Sequence, residues 1–170
     1  EGDLIFLIGE TLNEIGGSHY LMTSHGLEKG LPPRLNLQKE AALQDFILEQ
    51  AKKKTLSSCH DLAEGGLAVA LAECAMGSGI GAIVDHVDLI SNYGLLRQDA
   101  LYFGESQSRV IVSVNPKNKE AVIKAAQAKG LAVTQIGKTG GKELVMGDRI
   151  KCSIERLKNI FDSAIPERMS

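Results

Sequence analysis

The chain has 170 residues, of which 44% are hydrophobic and 24% charged, and its 19 Lys and Arg nearly balance 21 Asp and Glu. This length allows one domain with its own core, and the near-neutral charge excludes a strongly basic surface for nucleic acid. No apolar run approaches the ~18 residues of a membrane span and no signal peptide is visible, so a membrane is not an expected partner. The cysteines fit neither a zinc spacing nor a disulfide framework, which predicts a cytoplasmic protein: Cys59, Cys74 and Cys152.

The first third of the chain predicts one strand and two helices. Residues 4–8 form a continuous apolar run, typical of a strand buried on both faces. The chain starts at Glu1 and enters this strand almost at once, which predicts a piece cut from a longer protein. A short helix is expected after residues 16–18, and a longer one after Asn36, with one apolar face formed by Leu43, Phe46, Ile47 and Gln50.

The most informative stretch runs from residue 57 to residue 81. Its first residues predict the end of a buried strand, and a polar group with a glycine pair follows: His60, Asp61, Glu64, Gly65 and Gly66. A helix is expected from this pair onward, because apolar residues recur at helical spacing: Leu67, Ala70, Leu71 and Cys74.

Polar groups at the start of a helix allow two interpretations. Glycines let a backbone approach a ligand closely or adopt a positive φ, and the N–H groups of a helix start bind anions. Carboxylates beside a helix start are also ordinary caps, so Asp61 and Glu64 equally fit a capped strand-to-helix turn. Neither a P-loop nor a dinucleotide glycine motif is present around this pair.

A second polar cluster lies between the apolar run 101–103 and a predicted strand at 110–114. Its hydroxyl, amide and guanidinium groups suit phosphate or ribose oxygens, although a polar turn that enters a strand is the structural alternative. The members of this cluster are Glu105, Ser106, Gln107, Ser108 and Arg109.

The rest of the chain alternates strands and helices. Strands are expected at residues 80–84, 110–114, 131–136, 143–146 and 149–152. Helices are expected over residues 92–97, over 116–130, and around a last apolar stripe that covers the sheet: Ile154, Leu157, Ile160 and Phe161. A metal trio is conceivable just after residue 84, but we interpret it as a solvated turn: Asp85, His86 and Asp88. The pattern predicts an α+β (mixed α/β) fold, a mixed β-sheet with helices packed on it.

Three motifs occur in a fixed order: residues 2–21, the His-Asp-x-x-Glu-Gly-Gly segment at 60–66, and the Phe-Gly-Glu-Ser-Gln-Ser-Arg segment at 103–109. In this combination the chain resembles the synthetase subunit of phosphoribosylformylglycinamidine synthase in its small bacterial form, and in particular the last domain of that subunit. The resemblance implies the C-terminal domain fold shared with aminoimidazole ribonucleotide synthase. It also implies that residues 1–170 are one C-terminal domain excised from a longer synthetase chain, with a frayed tail at 163–170.

The resemblance implies a reaction for the full enzyme. The enzyme uses ATP and Mg²⁺ to activate the formamide oxygen of formylglycinamide ribonucleotide, and ammonia then replaces that oxygen. Implied partners are the N-terminal ATP-binding domains of the same chain, a glutaminase subunit and a small accessory subunit. The catalytic histidine and the ATP-contacting lysine belong to the N-terminal domain type, so the fragment is expected to contain no catalytic residue. It is expected to be inactive alone and to hold no cofactor tightly.

The resemblance also implies site residues. The family's working site uses another copy of this domain, so the residues here border an auxiliary site. Substrate or nucleotide contacts transfer to Gly65, Gly66, Glu105, Ser106, Gln107 and Arg109, and a Mg²⁺ contact transfers to Asp61. The chain departs from the family at Ala63, where a serine is common, and alanine has no hydroxyl to donate.

Two alternatives stay open at this point. The domain resembles parts of other superfamily members, namely aminoimidazole ribonucleotide synthase and selenophosphate synthetase, although the Glu-Ser-Gln-Ser-Arg loop favours the amidine-forming enzyme. The strand-helix-strand unit at residues 110–136 is also typical of non-catalytic regulatory modules that bind a small effector.

Overall fold

A computed structural model describes residues 1–85 and 96–169, and these residues form a seven-stranded sheet with helices on both faces. The strands in chain order are β1 Leu4–Ile8, β2 Ser58–Asp61, β3 Ala82–Val84, β4 Val110–Val114, β5 Val133–Thr139, β6 Glu143–Met146 and β7 Ile150–Ser153. Their order across the sheet is β2-β4-β1-β5-β3-β6-β7. Strands β3 and β6 pair in parallel and the other pairs are antiparallel, which confirms the predicted mixed sheet and α+β fold class.

The described helices are α1 His19–His25, α2 Leu37–Lys53, α3 Gly66–Ser78, α4 Gln98–Phe103, α5 Lys119–Ala128, α6 Ile154–Ser163 and α7 Pro166–Met169, with a 3₁₀ turn at Pro116–Asn118 before α5. Local capping determines where several of them begin. The Asn36 side chain accepts hydrogen bonds from the N–H groups of Gln38 and Lys39, and the Ser18 hydroxyl accepts one from the N–H of Leu21. These two predicted helix starts are therefore confirmed.

The sheet separates two hydrophobic cores, because alternate residues of its central strands point to opposite faces. On one face, Phe6 and Val112 pack with α2 and α5 through Phe46 and Val122. On the other face, α3, α4 and α6 pack over a second core that includes Leu7, Ile111, Leu67, Leu101 and Leu157. Both faces of β1 and β4 are consequently buried, which the continuous apolar run of β1 predicts.

Two sequence-based expectations about burial are wrong. The strand at Ser58–Asp61 lies at the edge of the sheet and is mostly exposed, because β4 is its single partner among the described strands. The last helix buries Ile154 and packs Leu157 on the core, but Ile160 and Phe161 are 58% and 64% exposed. Helical spacing predicted one apolar face for all four residues, but only its first half packs on the core.

Several other predictions concern the ends of the chain and one internal segment. His86, Asp88 and residues 92–95 of the predicted short helix lie outside the described residues. Helix α4 begins only at Gln98, after Arg97. At the C-terminus, a helical turn covers Pro166–Met169 and all four residues are exposed.

The cysteines and the membrane expectation can be checked against residues 1–85 and 96–169. The three thiols are free, and burial raises the pKa of Cys74 to about 11, with a smaller contribution from Glu73. Within these ranges no helix combines the length and the apolar character that crossing a bilayer requires.

Candidate functional site

The loop at residues 104–109, which joins α4 to β4, lies against the start of α3. The Glu105 Oε1 atom accepts a hydrogen bond from the N–H of Gly65 at 2.9 Å and another from the N–H of His19 at 3.0 Å. The Glu105 side chain is only 14% exposed. One carboxylate oxygen therefore joins the loop to the first residue of α1 and to the residue that precedes α3.

The glycine pair makes this close approach possible. Gly65 and Gly66 have φ values of +78° and +62°, in the left-handed region that favours glycine. A Cβ atom at Gly66 would lie 2.4 Å from the carbonyl oxygen of Gly104. The sequence predicted positive φ or a close approach at this pair, and both are confirmed, but the group that approaches is the chain's own loop.

Helix α3 has no local cap. Its N-cap is Gly65, which has no side chain, and its first turn contains no acidic residue. A helix start has a partial positive charge and N–H groups that lack partners within the helix. The Glu105 carboxylate supplies both a negative charge and an acceptor at this position, although Glu105 is 40 residues away in the chain.

The buried Arg109 side chain stabilises the 104–109 loop through hydrogen bonds to its backbone. Its side chain is 2% exposed, and its guanidinium donates to the carbonyl oxygens of Ser106 at 2.7 Å and Gly104 at 2.6 Å. It also donates to the Thr11 hydroxyl at 3.0 Å. The Arg109 guanidinium is therefore enclosed by the protein, and its hydrogen bonds go to acceptors of the same domain.

The remaining loop residues divide into buried and exposed groups. The Ser106 side chain is buried, and its hydroxyl accepts a hydrogen bond from the N–H of Leu12 at 3.2 Å. Ser108 has a φ of +58° and donates from its hydroxyl to Glu40 Oε2 at 2.6 Å. Gln107 is exposed and donates to the carbonyl oxygen of Glu105 at 3.1 Å. Of the predicted Glu-Ser-Gln triplet, Gln107 is thus the member most open to a ligand.

Asp61 lies at the same end of the sheet as the loop. It pairs with Val110 in β4, and its side chain is 77% exposed. The neighbouring His60 donates from Nδ1 to the Asp61 carbonyl oxygen at 2.7 Å, and its Nε2 atom lies 3.4 Å from Glu73 Oε2 on α3. His60 therefore connects the edge strand to α3, and the Asp61 carboxylate points to solvent.

The predicted site residues line three different clefts, one of which borders the loop directly. Gly65 and Glu64 line a cleft of about 440 Å³ beside α1, with Tyr20 and Phe103. Gln107 lines a smaller one of about 190 Å³ next to the start of α2, and Asp61 lines a third of about 480 Å³ between α2 and β2. The loop and the start of α3 are adjacent, joined by the hydrogen bond between Glu105 and Gly65, and among residues 1–85 and 96–169 these three clefts divide the candidate residues between them.

Sequence reasoning missed three residues that complete the arrangement: Thr11, His19 and Glu40. Thr11 and His19 fall within the first of the three motifs, but nothing in their spacing indicates contact with a loop some 90 residues later. Their roles depend on long-range hydrogen bonds, which have no periodic signal in the sequence.

A bound Mg²⁺ would have one candidate ligand here. Over residues 1–85 and 96–169, no group of three or more His, Cys, Asp or Glu side chains is arranged to hold a metal ion. Mg²⁺ commonly takes only one or two protein carboxylates and completes its shell with phosphate and water. The exposed Asp61 fits such a single-ligand contribution, but it does not form a metal site by itself.

Comparison with known proteins assigns the family. Residues 1–147 match the family described as AIR synthase related protein, C-terminal domain. The chain belongs to this family. The match includes the glycine pair, the 104–109 loop and six of the seven strands, so the elements that build the candidate site lie within the family's domain.

Relatives within the AIR synthase related family add a more specific similarity. The chain is 48% identical over its whole length to the phosphoribosylformylglycinamidine synthase subunit PurL of Moorella thermoacetica. It is 41% identical, over 96% of its length, to the PurL subunit of Alkaliphilus metalliredigens. It spans 23% and 22% of those two proteins, so it corresponds to less than a quarter of the relatives that it matches.

Solved structures confirm the fold of the domain. The Thermotoga maritima PurL complexed with FGAR superposes with a TM-score of 0.75 at 18% identity, over 92% of this chain and 28% of that one. A thiamine-monophosphate kinase from Stenotrophomonas maltophilia gives 0.57 at 20% identity, over 86% of this chain and 50% of the kinase. At these identities the similarity establishes the fold alone, which proteins with different names share.

Proposed function

We propose that this chain is the C-terminal domain of a PurL-type synthetase and contributes to the ATP-dependent conversion of formylglycinamide ribonucleotide to its amidine. The observation that supports this most strongly is the 48% identity to the Moorella thermoacetica PurL subunit over the entire chain. Further PurL subunits match 97–99% of the chain at 36–38% identity. This consistency favours the amidine-forming enzyme over aminoimidazole ribonucleotide synthase, selenophosphate synthetase or a regulatory module.

The proposed reaction replaces a carbonyl oxygen with nitrogen. ATP with Mg²⁺ supplies the phosphoryl group that makes the formamide oxygen a leaving group. Ammonia then adds to that carbon and inorganic phosphate departs, so each turnover yields amidine, ADP and phosphate. The residues described in this chain provide support and ligand contacts at the border of such a site, and the chemical step belongs to the N-terminal domain type.

Within this proposal the predicted site residues have two kinds of role. Gln107 and Asp61 are exposed, so they are the side chains that can reach a bound nucleotide, substrate or Mg²⁺. Ser106 and Arg109 are buried and hold the loop that presents Gln107. Gly65 and Gly66 allow the loop and α3 to touch. The three separate clefts would be completed by surfaces of other domains.

The proposed partners are the ATP-binding N-terminal domains of the same polypeptide, a glutaminase subunit and a small accessory subunit, in the cytoplasm. Three leucines around the start of α2 are exposed, and this supports a surface that a partner domain or subunit covers: Leu31, Leu35 and Leu37. Leu31 is 81% exposed, which is unusual for a large apolar side chain in a protein that has no partner. This segment borders the Gln107 cleft through Arg34 and Asn36.

The 170-residue chain alone should not release ADP when it is given ATP, Mg²⁺, formylglycinamide ribonucleotide and ammonia, because it lacks the proposed ATP-contacting domain. A coupled ADP-release assay measures this, with a PurL subunit that contains the corresponding domain as the positive control. ADP release by the chain above background, and dependent on the ribonucleotide, would contradict the assigned role. Tight binding of an amino acid in calorimetry, without binding of ATP or the ribonucleotide, would favour the regulatory alternative.

A further inference from the structure

We propose that Glu105 is a positioning residue that acts as an internal anion: its carboxylate occupies the N-terminus of α3, where a phosphate would otherwise bind. The glycine-opened start of this 13-residue helix has the features of an anion site. In the folded chain the N–H group of Gly65 at this helix start already donates to the Glu105 carboxylate of the same chain. This inference does not depend on which enzyme contains the domain.

The Glu105 carboxylate has the geometry of a bound anion. Glu105 Oε1 lies 2.9 Å from the nitrogen of Gly65 and 3.0 Å from the nitrogen of His19, both within ordinary hydrogen-bonding distance. Hydrogen bonds from backbone N–H groups to a carboxylate are charge-assisted and stronger than neutral ones. An anion from solution would have to displace this carboxylate before it could bind the same N–H groups.

The loop backbone also packs against the helix start and leaves little space for another group. Gly66 allows the backbone of Phe103 and Gly104 to pack directly on the helix start, since a Cβ atom would lie 2.4 Å from the Gly104 oxygen and 2.9 Å from the Phe103 carbonyl carbon. The space beside the pair is therefore filled by the loop. The close backbone approach that the glycines permit serves this internal contact.

Other groups hold the 104–109 loop in place. Arg109 ties the carbonyl oxygens of Gly104 and Ser106 together, and Ser108 donates to Glu40 on α2. A carboxylate on a loop held at both ends loses little conformational freedom when it docks. Glu105 consequently connects three parts of the molecule: the start of α1, the start of α3 and the loop before β4.

Small-anion rescue tests this role, with Glu105→Ala as the main variant and Glu64→Ala as the matched control. Glu64 has the same charge and lies next to the glycine pair, but it is exposed. We expect Glu105→Ala to lower the Tm of the 170-residue chain by roughly 4–8 °C, and Glu64→Ala to lower it much less. Sodium formate should restore part of the Glu105→Ala loss beyond what sodium chloride does at equal ionic strength, and should not raise the Tm of the wild type.

A second variant keeps the proposal testable if Glu105→Ala does not fold. Glu105→Gln retains an amide oxygen that can accept from an N–H group, so it should fold with an intermediate Tm and respond to formate less than Glu105→Ala does. Amide exchange at Gly65 and His19 should be about tenfold faster in the alanine variant than in the wild type. The proposal is overturned if formate and chloride act alike on a folded Glu105→Ala chain, or if neither amide exchanges faster in whichever Glu105 variant folds.

Discussion

Gly66→Ala should lower the free energy of unfolding by about 2–5 kcal/mol. The new methyl group would meet the Gly104 carbonyl oxygen at 2.4 Å, and a backbone atom cannot move aside without shifting the loop. The alanine would also have to adopt a φ of +62°, which costs about 1–2 kcal/mol by itself. Urea denaturation followed by circular dichroism would measure the loss.

Substitutions at two glycines at the other end of α3 separate the steric contribution from the cost of a positive φ. Gly79 has a φ of +67° but no atom within 4 Å of an added Cβ, so Gly79→Ala should cost only the backbone contribution of about 1–2 kcal/mol. Gly77 lies within α3, and a Cβ atom added there would also have no atom within 4 Å. Because alanine favours the helix more than glycine does, Gly77→Ala should stabilise the chain by about 0.5–1 kcal/mol. Equal losses for Gly66→Ala and Gly79→Ala would show that the loop does not press against the helix start.

Arg109→Ala should lower the free energy of unfolding by about 3–5 kcal/mol, because it leaves buried acceptors without donors. The carbonyl oxygens of Gly104 and Ser106 and the Thr11 hydroxyl each accept a hydrogen bond from this guanidinium. Arg109→Lys should recover only part of the loss, since an ammonium group cannot reproduce the planar fork. Chemical denaturation of the three proteins would measure both effects.

An exposed arginine provides the control for Arg109. The Arg149 side chain is 56% exposed, and its only ion pair among the described residues is with Asp148 at 3.3 Å. Arg149→Ala should change the stability by less than about 1 kcal/mol, as is usual for surface pairs. A comparable loss for the two alanine variants would mean that Arg109 does not hold the loop.

Periodic features of the sequence predicted the fold well. The apolar-rich segments Leu4–Ile8 and Val110–Val114 predicted two neighbouring strands of the sheet with the correct ends. The cap at Asn36 placed the start of α2 correctly. These features could be predicted because each depends on neighbouring residues: a strand or helix shows its period, and a cap lies within a few residues of the N–H groups that it satisfies.

The direction and partners of the site residues could not be predicted in the same way. Arg109 and Gln107 are both polar members of one loop, but one side chain is enclosed by the protein and the other is exposed. The partners of Glu105 lie 40 and 86 residues away. A sequence pattern shows that such groups are close in the chain, but only the packing of α1, α3 and the loop determines which of them face a ligand.

Burial of side chains at the edges of the domain also depends on which other elements pack against them. Phe161 and Leu157 occupy helical positions four residues apart, yet only Leu157 packs on the core. Helical spacing predicts that both lie on one apolar face, but it does not show how much of that face contacts the rest of the domain. The edge position of Ser58–Asp61 has the same cause, since strand order depends on the whole topology.

The most direct test of the internal-anion account is a phosphate titration of the wild-type chain, followed through the backbone amide resonances of Gly65 and His19. We expect that these two resonances do not move in a saturable way up to tens of millimolar phosphate, because Glu105 already accepts from both N–H groups. Saturable shifts at these two amides in low-millimolar phosphate would contradict it.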